Sequence, residues 1–324
     1  RPMKILVTGG AGYIGSTLIP MLLASGHEVR ALDNLMHDGR ALLGVWSHPA
    51  FEFQRGSICS TQDVNVAMRG IDAVVHLAAI VGDPACAREP KLAGEVNRDG
   101  SLNVLAEGRH SGIQRFVFAS TCSNYGKMRD PEHYVDETSE LRPISLYAET
   151  KVEIEKLLLN PGQINGLCAT ALRFATVFGV SPRMRFDLTV NEFTLEMLTK
   201  QKLTVFGEQF WRPYIHVRDV ARAIVHVLRA PEEQVCNQVF NVGSTAQNYR
   251  KQEIVDLIHS YVPQATIEYV HREEDPRDYR VSFEKIKADL NFETTRTVQD
   301  GILEVSNAIH SGIIGDFYSP AYKN

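Results

Sequence analysis

The feature that most constrains the fold is a regular alternation of short apolar strands with helical segments between Lys4 and about Ala119. Between the first two strands, STLIPMLLASG has the apolar spacing of a helix and ends at Gly26, a residue type common after the last helical turn. Such alternation predicts right-handed βαβ units and a parallel sheet covered by helices on both faces. Five segments have the length and flanking breakers of buried strands, namely KILVTGG, EVRALD, FEFQRGSI, AVVHLAA and RFVFAS.

The pattern changes after about Leu172, where strand candidates are irregularly spaced among helices. These candidates are LRFATVFG, LTVFG and NQVFNVG. We therefore expect a second, smaller lobe whose chain returns in places to the main sheet.

Composition excludes several classes of partner. The chain has 324 residues, of which 44% are hydrophobic and 23% charged, and its net charge is -5. This balance allows a large core and gives no general attraction to nucleic acid or to an anionic membrane. No apolar run approaches the ~18 residues of a membrane span and no signal-like segment is present, so we expect a soluble, cytoplasmic protein without a membrane partner.

The cysteines also indicate a cytoplasmic protein. They are odd in number and lack CxxC spacing, being Cys59, Cys86, Cys122, Cys168 and Cys236. We expect neither a disulfide framework nor a zinc or other metal site, which fits a reducing cytosol.

The segment VTGGAGYIGS at 7–16 predicts a dinucleotide site. A diphosphate reaches the first helical turn only where no Cβ blocks the backbone, and Gly9, Gly12 and Gly15 provide that clearance. Asp33 ends the next strand, where a carboxylate accepts hydrogen bonds from the ribose hydroxyls and repels a 2′-phosphate. NAD is thus favoured over NADP, and the alternative is an ordinary tight turn between a strand and a helix.

A second motif, YAETK, places Tyr147 and Lys151 four residues apart, on one face of a helix. A lysine cation near the phenol favours the phenolate and lowers its pKa towards the range useful for proton transfer. The same spacing is common on amphipathic helices that only cover a surface, so the pair alone does not establish catalysis.

In their order along the chain, the motifs resemble the extended short-chain dehydrogenase/reductases, and the similarity covers almost the whole sequence. The nucleotide-sugar branch, including the UDP-glucose and UDP-galactose 4-epimerases, is the part of the family that the chain resembles. The matching features are TGGAGYIG at 8–15, Asp33-Asn34, HLAA at 76–79, Asn97, Ser120-Thr121, Tyr147 with Lys151, PYIHVRDVARA at 213–223 and DPRDYRVSFEKIKADLNF at 275–292.

The resemblance implies an α/β protein with a Rossmann-type doubly wound parallel sheet and a smaller, interleaved C-terminal α/β substrate lobe. The NAD-binding domain would cover 3–171, with later returns near 210–243, and the lobe mainly 172–324. The residues implied to bind NAD are Gly9, Gly12, Tyr13, Ile14, Gly15, Asp33, Asn34, Ser57, Ile58, Leu77, Ala78, Ala79, Asn97, Tyr147 and Lys151.

The resemblance also implies catalytic roles. Tyr147 would be the acid/base, Lys151 would hold the nicotinamide ribose and tune the phenol, and Thr121 would hydrogen-bond the reacting sugar oxygen. The residues implied to bind a nucleotide sugar are Thr121, Ser123, Thr176, Asn191, Arg212 and Arg277. A homodimer is the family expectation for assembly.

Several positions depart from the family pattern. Thr176 replaces a ligand-binding asparagine of the galactose epimerases, and Ser57 stands where an aspartate is usual. GDPAC at 82–86 also differs from the loop of those epimerases. Dehydratases of the family carry Asp-Glu after the threonine, where this chain has Cys122 and Ser123, so elimination of water is disfavoured.

Two further groups have no family counterpart. For Cys122 we favour a buried structural thiol over an acid. Arg183 and Arg185 match nothing in the family, and a solvated loop is the favoured interpretation.

The resulting hypothesis is an NAD-dependent nucleotide-sugar epimerase acting at C4. Within the family the alternatives are a 4-ketosugar reductase, a decarboxylase or a dehydratase. From another class, the alternative is a non-catalytic dinucleotide-sensing protein, and the presence of the Tyr/Lys pair with Thr121 disfavours it.

Overall fold

The computed structural model describes residues 1–81, 83–130, 132–273, 275 and 277–324, and for residues 83 and 84 it describes the backbone alone. Gly82 of the GDPAC segment and Pro276 of the DPRDYR segment thus lie outside the described residues. In the first half the elements are β1 (Lys4–Thr8), α1 (Gly15–Ala24), β2 (Glu28–Asp33), β3 (Phe51–Arg55), α2 (Thr61–Ala67), β4 (Ala73–His76), α3 (Asp83–Arg88), α4 (Pro90–Gly94), α5 (Ser101–His110), β5 (Arg115–Thr121), α6 (Leu146–Leu158) and α7 (Pro161–Ile164).

The second half contains more and shorter elements. They are β6 (Cys168–Phe174), β7 (Thr176–Phe178), α8 (Thr189–Lys200), β8 (Lys202–Phe206), β9 (Trp211–His216), α9 (Val217–Arg229), α10 (Glu232–Val235), β10 (Gln238–Val242), β11 (Asn248–Arg250), α11 (Lys251–His259), β12 (Thr266–Val270), α12 (Glu284–Leu290) and α13 (Val298–His310).

The main sheet has seven parallel strands in the order β10-β6-β5-β4-β1-β2-β3. It contains all five strands predicted from the first 119 residues, and it confirms the Rossmann-type fold. The strand order reverses at β1, which lies between β2 and β4, and open sheets of this kind bind ligands in the crevice beyond the carboxyl ends of such strands.

Alternate side chains of β1 pack into different cores on the two faces of this sheet. Ile5 and Val7 belong to the core that includes residues of α1 and α9, whereas Leu6 packs with residues of α2, α5 and α6. A strand buried on both faces reads as a continuous apolar run rather than an alternating one, which is why KILVT could be recognised.

The smaller lobe is built on two short sheets, β11-β9-β7 and β12-β8. Its strands β9, β11 and β12 were not predicted. β9 carries an arginine and a proline, β11 has only three residues, and β12 is mostly half-buried or exposed, so none gives an apolar run.

The two parts of the chain are interleaved, as predicted. β10 returns to the edge of the main sheet beside β6, and α9 packs against α1. Strand β6 runs through residue 171 without interruption, so the proposed boundary at 171 falls inside a strand, and it stays a prediction.

The expectation that the cysteines form no disulfide is wrong. Cys168 at the start of β6 is bonded to Cys236 after α10, across a sequence separation of 68 residues. Cys59, Cys86 and Cys122 are not in a disulfide. Spacing along the chain could not reveal the pair, because β10 must first return beside β6 to bring α10 close.

We expect three of the five thiols to react with an alkylating reagent in denatured, unreduced protein, and all five after reduction. Closing a loop of this length restricts the unfolded chain by about 4 kcal/mol, so the Cys168→Ser/Cys236→Ser variant should melt several degrees lower. Mass spectrometry and thermal unfolding measure the two effects. Five reactive thiols without reductant would contradict the bond.

Candidate functional site

A pocket lies beyond the carboxyl ends of the main strands, between the sheet and the loop that follows β7. Most of the predicted site residues line it, namely Gly9, Gly12, Tyr13, Ile14, Gly15, Asp33, Asn34, Ser57, Ile58, Leu77, Ala78, Ala79, Thr121, Ser123, Tyr147, Lys151 and Thr176. Residues from distant parts of the chain thus meet at one edge of the sheet. Asn97, Asn191, Arg212 and Arg277 are absent from this lining.

The chain between β1 and the first residue of α1 leaves no room for a side chain at Gly9 or at Gly15. Gly9 has a φ of +70°, and a Cβ there would lie 2.9 Å from the backbone nitrogen of Ala78. A Cβ on Gly15 would lie 2.5 Å from the carbonyl oxygen of Gly9. This bare backbone at the start of α1 fits a dinucleotide diphosphate.

Asp33 is fixed at the adjacent strand end. One carboxylate oxygen accepts the Ala11 N–H at 3.0 Å, and the other accepts the Leu35 N–H at 2.8 Å. Burial raises the pKa of Asp33, while these two N–H groups and the charge of Arg183 act to lower it. The carboxylate is therefore oriented at the place where the sequence predicted a ribose.

The Tyr13 side chain contacts the loop after β7, and its role in binding NAD stays a prediction. Its phenol is 6% exposed and donates to the carbonyl oxygen of Gly179, and the Ser181 hydroxyl donates to the Tyr13 carbonyl at 2.7 Å. The Arg183 N–H donates to the Ser16 hydroxyl at 3.2 Å. The loop after β7 is thus docked on the first turn of α1.

Below the pocket, His76 links β4 to β1. Ser101 donates its proton to a backbone carbonyl, so its oxygen accepts from Nε2 of His76 at 2.8 Å. Thr8 then donates to Nδ1 at 2.6 Å while accepting the N–H groups of Leu77 and Ala78. Burial, followed by the charge of Lys151, lowers the pKa of His76 to about 3, so the ring stays neutral and this tautomer is kept.

Asn97 supports the pocket from behind instead of lining it. Its amide accepts the N–H of Ile80 at 2.7 Å and donates to the carbonyl of Ile80 at 2.9 Å. Ile80 itself lines the pocket. Asn97 thus fixes the loop after β4, and its contact with the cofactor stays a prediction.

The three predicted catalytic residues lie together. Thr121 ends β5, and its hydroxyl accepts the Ser123 N–H at 3.1 Å. On α6, whose N-cap is Ser145, Lys151 donates to the carbonyl oxygen of Ala119 at 2.7 Å, and its Nζ lies 5.7 Å from the ring centroid of Tyr147. Burial lowers the pKa of Lys151 to about 8.

Glu155 binds this helix to the sheet, and sequence reasoning missed it. Its side chain is buried one turn after Lys151, and its carboxylate accepts from Ser120 at 2.7 Å and from Asn124 at 3.2 Å. Arg173 of β6 donates its Nε to the same carboxylate at 3.0 Å. A carboxylate between Ile154 and Leu158, on the apolar face of α6, is the signal that could have identified it.

The same network continues to the edge of the sheet. Arg173 donates to the phenol oxygen of Tyr125 at 2.9 Å, and that phenol donates to the Asn241 amide at 2.7 Å. The Cys122 thiol is 1% exposed and donates to the Arg173 carbonyl at 3.3 Å. Burial raises the pKa of Cys122, so it is a neutral packed thiol here.

The three remaining substrate residues make other contacts. Asn191 is fully buried, and its amide accepts the Gly179 N–H and donates to the Arg185 carbonyl, each at 2.9 Å. Arg212 pairs with Asp275 at 3.1 Å, and Arg277 lies 3.8 Å from the same carboxylate. Their contact with a diphosphate stays a prediction.

Arg183 and Arg185 correct an earlier expectation. Both line the pocket and are less than 10% exposed, so the solvated-loop interpretation is wrong. Arg183 donates to the Lys323 carbonyl at 2.8 Å, and Arg185 pairs with Asp187 at 2.9 Å. Docking of the loop in the folded protein buries the two arginines, and no local sequence pattern predicted their burial.

The Glu155–Arg173 pair predicts a stability effect. Arg173→Met leaves a buried carboxylate without its cation and should lower the free energy of unfolding by about 3–5 kcal/mol, whereas Glu155→Leu/Arg173→Met should recover most of that loss. Urea unfolding measures both variants. Arg98→Met is the matched control, because its pair with Glu153 of the same helix is exposed and should contribute little. A single variant as stable as the control would contradict this role.

Comparison with known proteins agrees with this geometry. The profile of the NAD dependent epimerase/dehydratase family matches residues 5–243. The uncharacterised UDP-glucose epimerase YtcB of Bacillus subtilis is 30% identical over 311 residues, which cover 93% of this chain and 96% of YtcB.

Two crystal structures show the same fold. UDP-glucose 4-epimerase of Thermus thermophilus, in complex with NAD, has a TM-score of 0.82 and 30% identity, covering 95% of this chain and 99% of that one. UDP-glucuronic acid 4-epimerase of Bacillus cereus, in complex with UDP-glucuronic acid and NAD, has a TM-score of 0.85 and 26% identity over the same shares. This chain belongs to the NAD-dependent epimerase/dehydratase family and is an NAD-dependent enzyme of the extended short-chain dehydrogenase/reductase type.

Proposed function

We propose that this enzyme epimerises a nucleotide-linked sugar at C4 through a transient 4-keto sugar. The observation that carries the proposal is the convergence of Tyr147, Lys151 and Thr121 in the pocket that also contains the glycine turn. The relatives named as UDP-glucose epimerases support the substrate class.

In this proposal each residue has one task. The Tyr147 phenolate accepts the proton of the C4 hydroxyl, and it returns the proton when the hydroxyl is restored on the other face. Thr121 hydrogen-bonds the same oxygen, and Lys151 stabilises the phenolate by its charge. NAD, when bound, supplies the acceptor and donor of the C4 hydride.

The neighbouring residues disfavour elimination of water. Cys122 is buried against Arg173 and does not line the pocket, and Ser123 has no acidic group. Among the described lining residues the carboxylates are Asp33 and Asp38, at and just after the end of β2. Neither can serve as the acid of a dehydratase beside Tyr147.

The proposal also includes a homodimeric assembly and a cytoplasmic location. A homodimer is carried over from the family resemblance. No helix within the described ranges combines the length and apolar character needed to cross a bilayer. We propose a cytoplasmic location from composition, and the Cys168–Cys236 bond is the observation against it, because the cytosol keeps most thiols reduced.

Tyr147→Phe should lower turnover of UDP-glucose or UDP-galactose by several orders of magnitude, because the proton of the C4 hydroxyl loses its acceptor. The melting temperature should be unchanged, because the variant should stay folded. Tyr261→Phe, which removes a phenol oxygen at the surface, is the control and should keep full turnover.

The nicotinamide balance separates the alternatives. An epimerase needs no added nicotinamide, whereas a 4-ketosugar reductase consumes it stoichiometrically, and the absorbance of the reduced nicotinamide distinguishes the two. Unimpaired turnover in Tyr147→Phe would remove this residue from the mechanism, and stoichiometric consumption would replace the epimerase by a reductase.

A further inference from the structure

Tyr279 is the third tyrosine in the described lining of the pocket, besides Tyr13 and Tyr147, and no role was predicted for it although it lies in the family-like segment 275–292. It is 2% exposed and lines the same pocket as Thr121, Ser123 and Tyr147, although it comes from the segment before α12. A hydrogen bond from the Ser123 side chain acts to lower the pKa of the Tyr279 phenol. Tyr279 and Ser123 therefore form a polar pair beside the proposed reacting groups.

The backbone of this segment is fixed on both sides of the ring. The Tyr279 N–H donates to the Trp211 carbonyl at 3.1 Å, and the Met128 N–H donates to the Asp278 carbonyl at 2.9 Å. Its ring packs against Tyr125, with centroids 6.5 Å apart. The phenol is thus held in place before a ligand arrives, which reduces the entropy cost of a contact.

The phenols of Tyr147 and Tyr279 have different electrostatic surroundings. The lysine cation lies beside Tyr147, as described above. Burial raises the pKa of Tyr279 to about 12, although Arg212 and Arg277 act in the opposite direction. Tyr279 therefore stays protonated at neutral pH and can donate a hydrogen bond. Different surroundings of this kind allow one phenol to transfer a proton and the other to donate a hydrogen bond.

The end of the pocket around Tyr279 carries little charge. Among the described lining residues the charged side chains other than Lys151 are Asp33, Asp38, Arg183 and Arg185. Asp33 ends β2, three strand spacings or ~14 Å from the end of β5. The two arginines belong to the loop docked on α1.

Among the described residues of this lining, Lys151 is the one cation near Thr121, and it already donates to the Ala119 carbonyl. The other side chains at this end are neutral, including Val81, Phe174 and Ala175. Arg212 and Arg277 act on Tyr279 by their charge, but they do not line the pocket and both lie against the Asp275 carboxylate. A sugar carboxylate would therefore lose water here without gaining a cation of its own, whereas hydroxyl groups find partners.

We propose that Tyr279, together with Ser123, is a specificity-determining residue that hydrogen-bonds a hydroxyl of the sugar, and that the sugar is a neutral hexose and not a uronic acid. This inference rests on the proposed function only in taking a nucleotide sugar as the ligand. It does not require that the sugar be epimerised.

The test measures how much the sugar adds to binding. The NAD-loaded protein is titrated by calorimetry with UDP-glucose and with UDP, and likewise with dTDP-glucose and with dTDP. For each pair, the dissociation constant of the nucleotide is divided by that of the nucleotide sugar, so that a larger ratio means a larger contribution of the sugar. Tyr279→Phe should lower this ratio by about 10-fold, the loss of one buried hydrogen bond, while binding of the nucleotide alone stays unchanged.

Tyr214→Phe is the matched control. This phenol is also buried, with its pKa likewise raised to about 12 by burial, but it does not line the pocket. The variant should keep the ratio of the unmodified protein. Ser123→Ala is a second variant in case Tyr279→Phe unfolds, and it should lower the ratio in the same direction.

The outcomes separate the two proposals. If Tyr279→Phe and Ser123→Ala keep the ratio within twofold, or no sugar adds to binding, the role of Tyr279 is overturned. UDP-glucuronic acid that binds as tightly as UDP-glucose overturns the neutral-sugar assignment. Another outcome is that the unmodified protein binds a nucleotide sugar more tightly than the nucleotide and yet epimerises neither UDP-glucose nor dTDP-glucose. That result overturns the C4 epimerase proposal but not the proposed role of Tyr279 in binding the sugar.

Discussion

The buried carboxylate of Glu155 holds the proposed reacting groups in one arrangement. It accepts hydrogen bonds from the strand that ends in Thr121 and from Arg173 of the next strand, and it belongs to the helix that carries Tyr147 and Lys151. A buried ion pair of this kind contributes little net stability compared with an apolar pair, but breaking one half is costly. It therefore fixes how α6 sits on the sheet.

A second buried network fixes the other side of the pocket. His76, neutral because of burial, joins Thr8 of β1 to Ser101 at the start of α5, and Asn97 holds the loop that begins after β4. Strands β1 and β4 are neighbours in the sheet at the point where the strand order changes. The ligand pocket is thus lined by backbone and loops whose positions are set by polar groups beneath them.

The smaller lobe does not only cover this pocket but also supplies side chains that line it. The loop after β7 docks on the first turn of α1 and brings two arginines to the end where Asp33 lies, while the segment before α12 brings a neutral phenol to the end where Tyr147 lies. Apart from Lys151, the charged side chains of the described lining are consequently concentrated at one end of the pocket. Relatives named for glucose and for glucuronic acid share the fold, so selection between such sugars must depend on side chains like these.

The sequence by itself determined the parallel sheet, the glycine turn, the aspartate at the end of β2 and the shared helix face of Tyr147 and Lys151. Each of these follows from local spacing, because apolar periodicity and glycine positions act over a few residues. The Cys168–Cys236 bond, the Glu155–Arg173 pair, the burial of Arg183 and the place of Tyr279 were decided only by the tertiary structure. Their partners lie on elements that meet only in the folded protein: α6 with β6, the return of β10 beside β6, and the lobe with the main sheet.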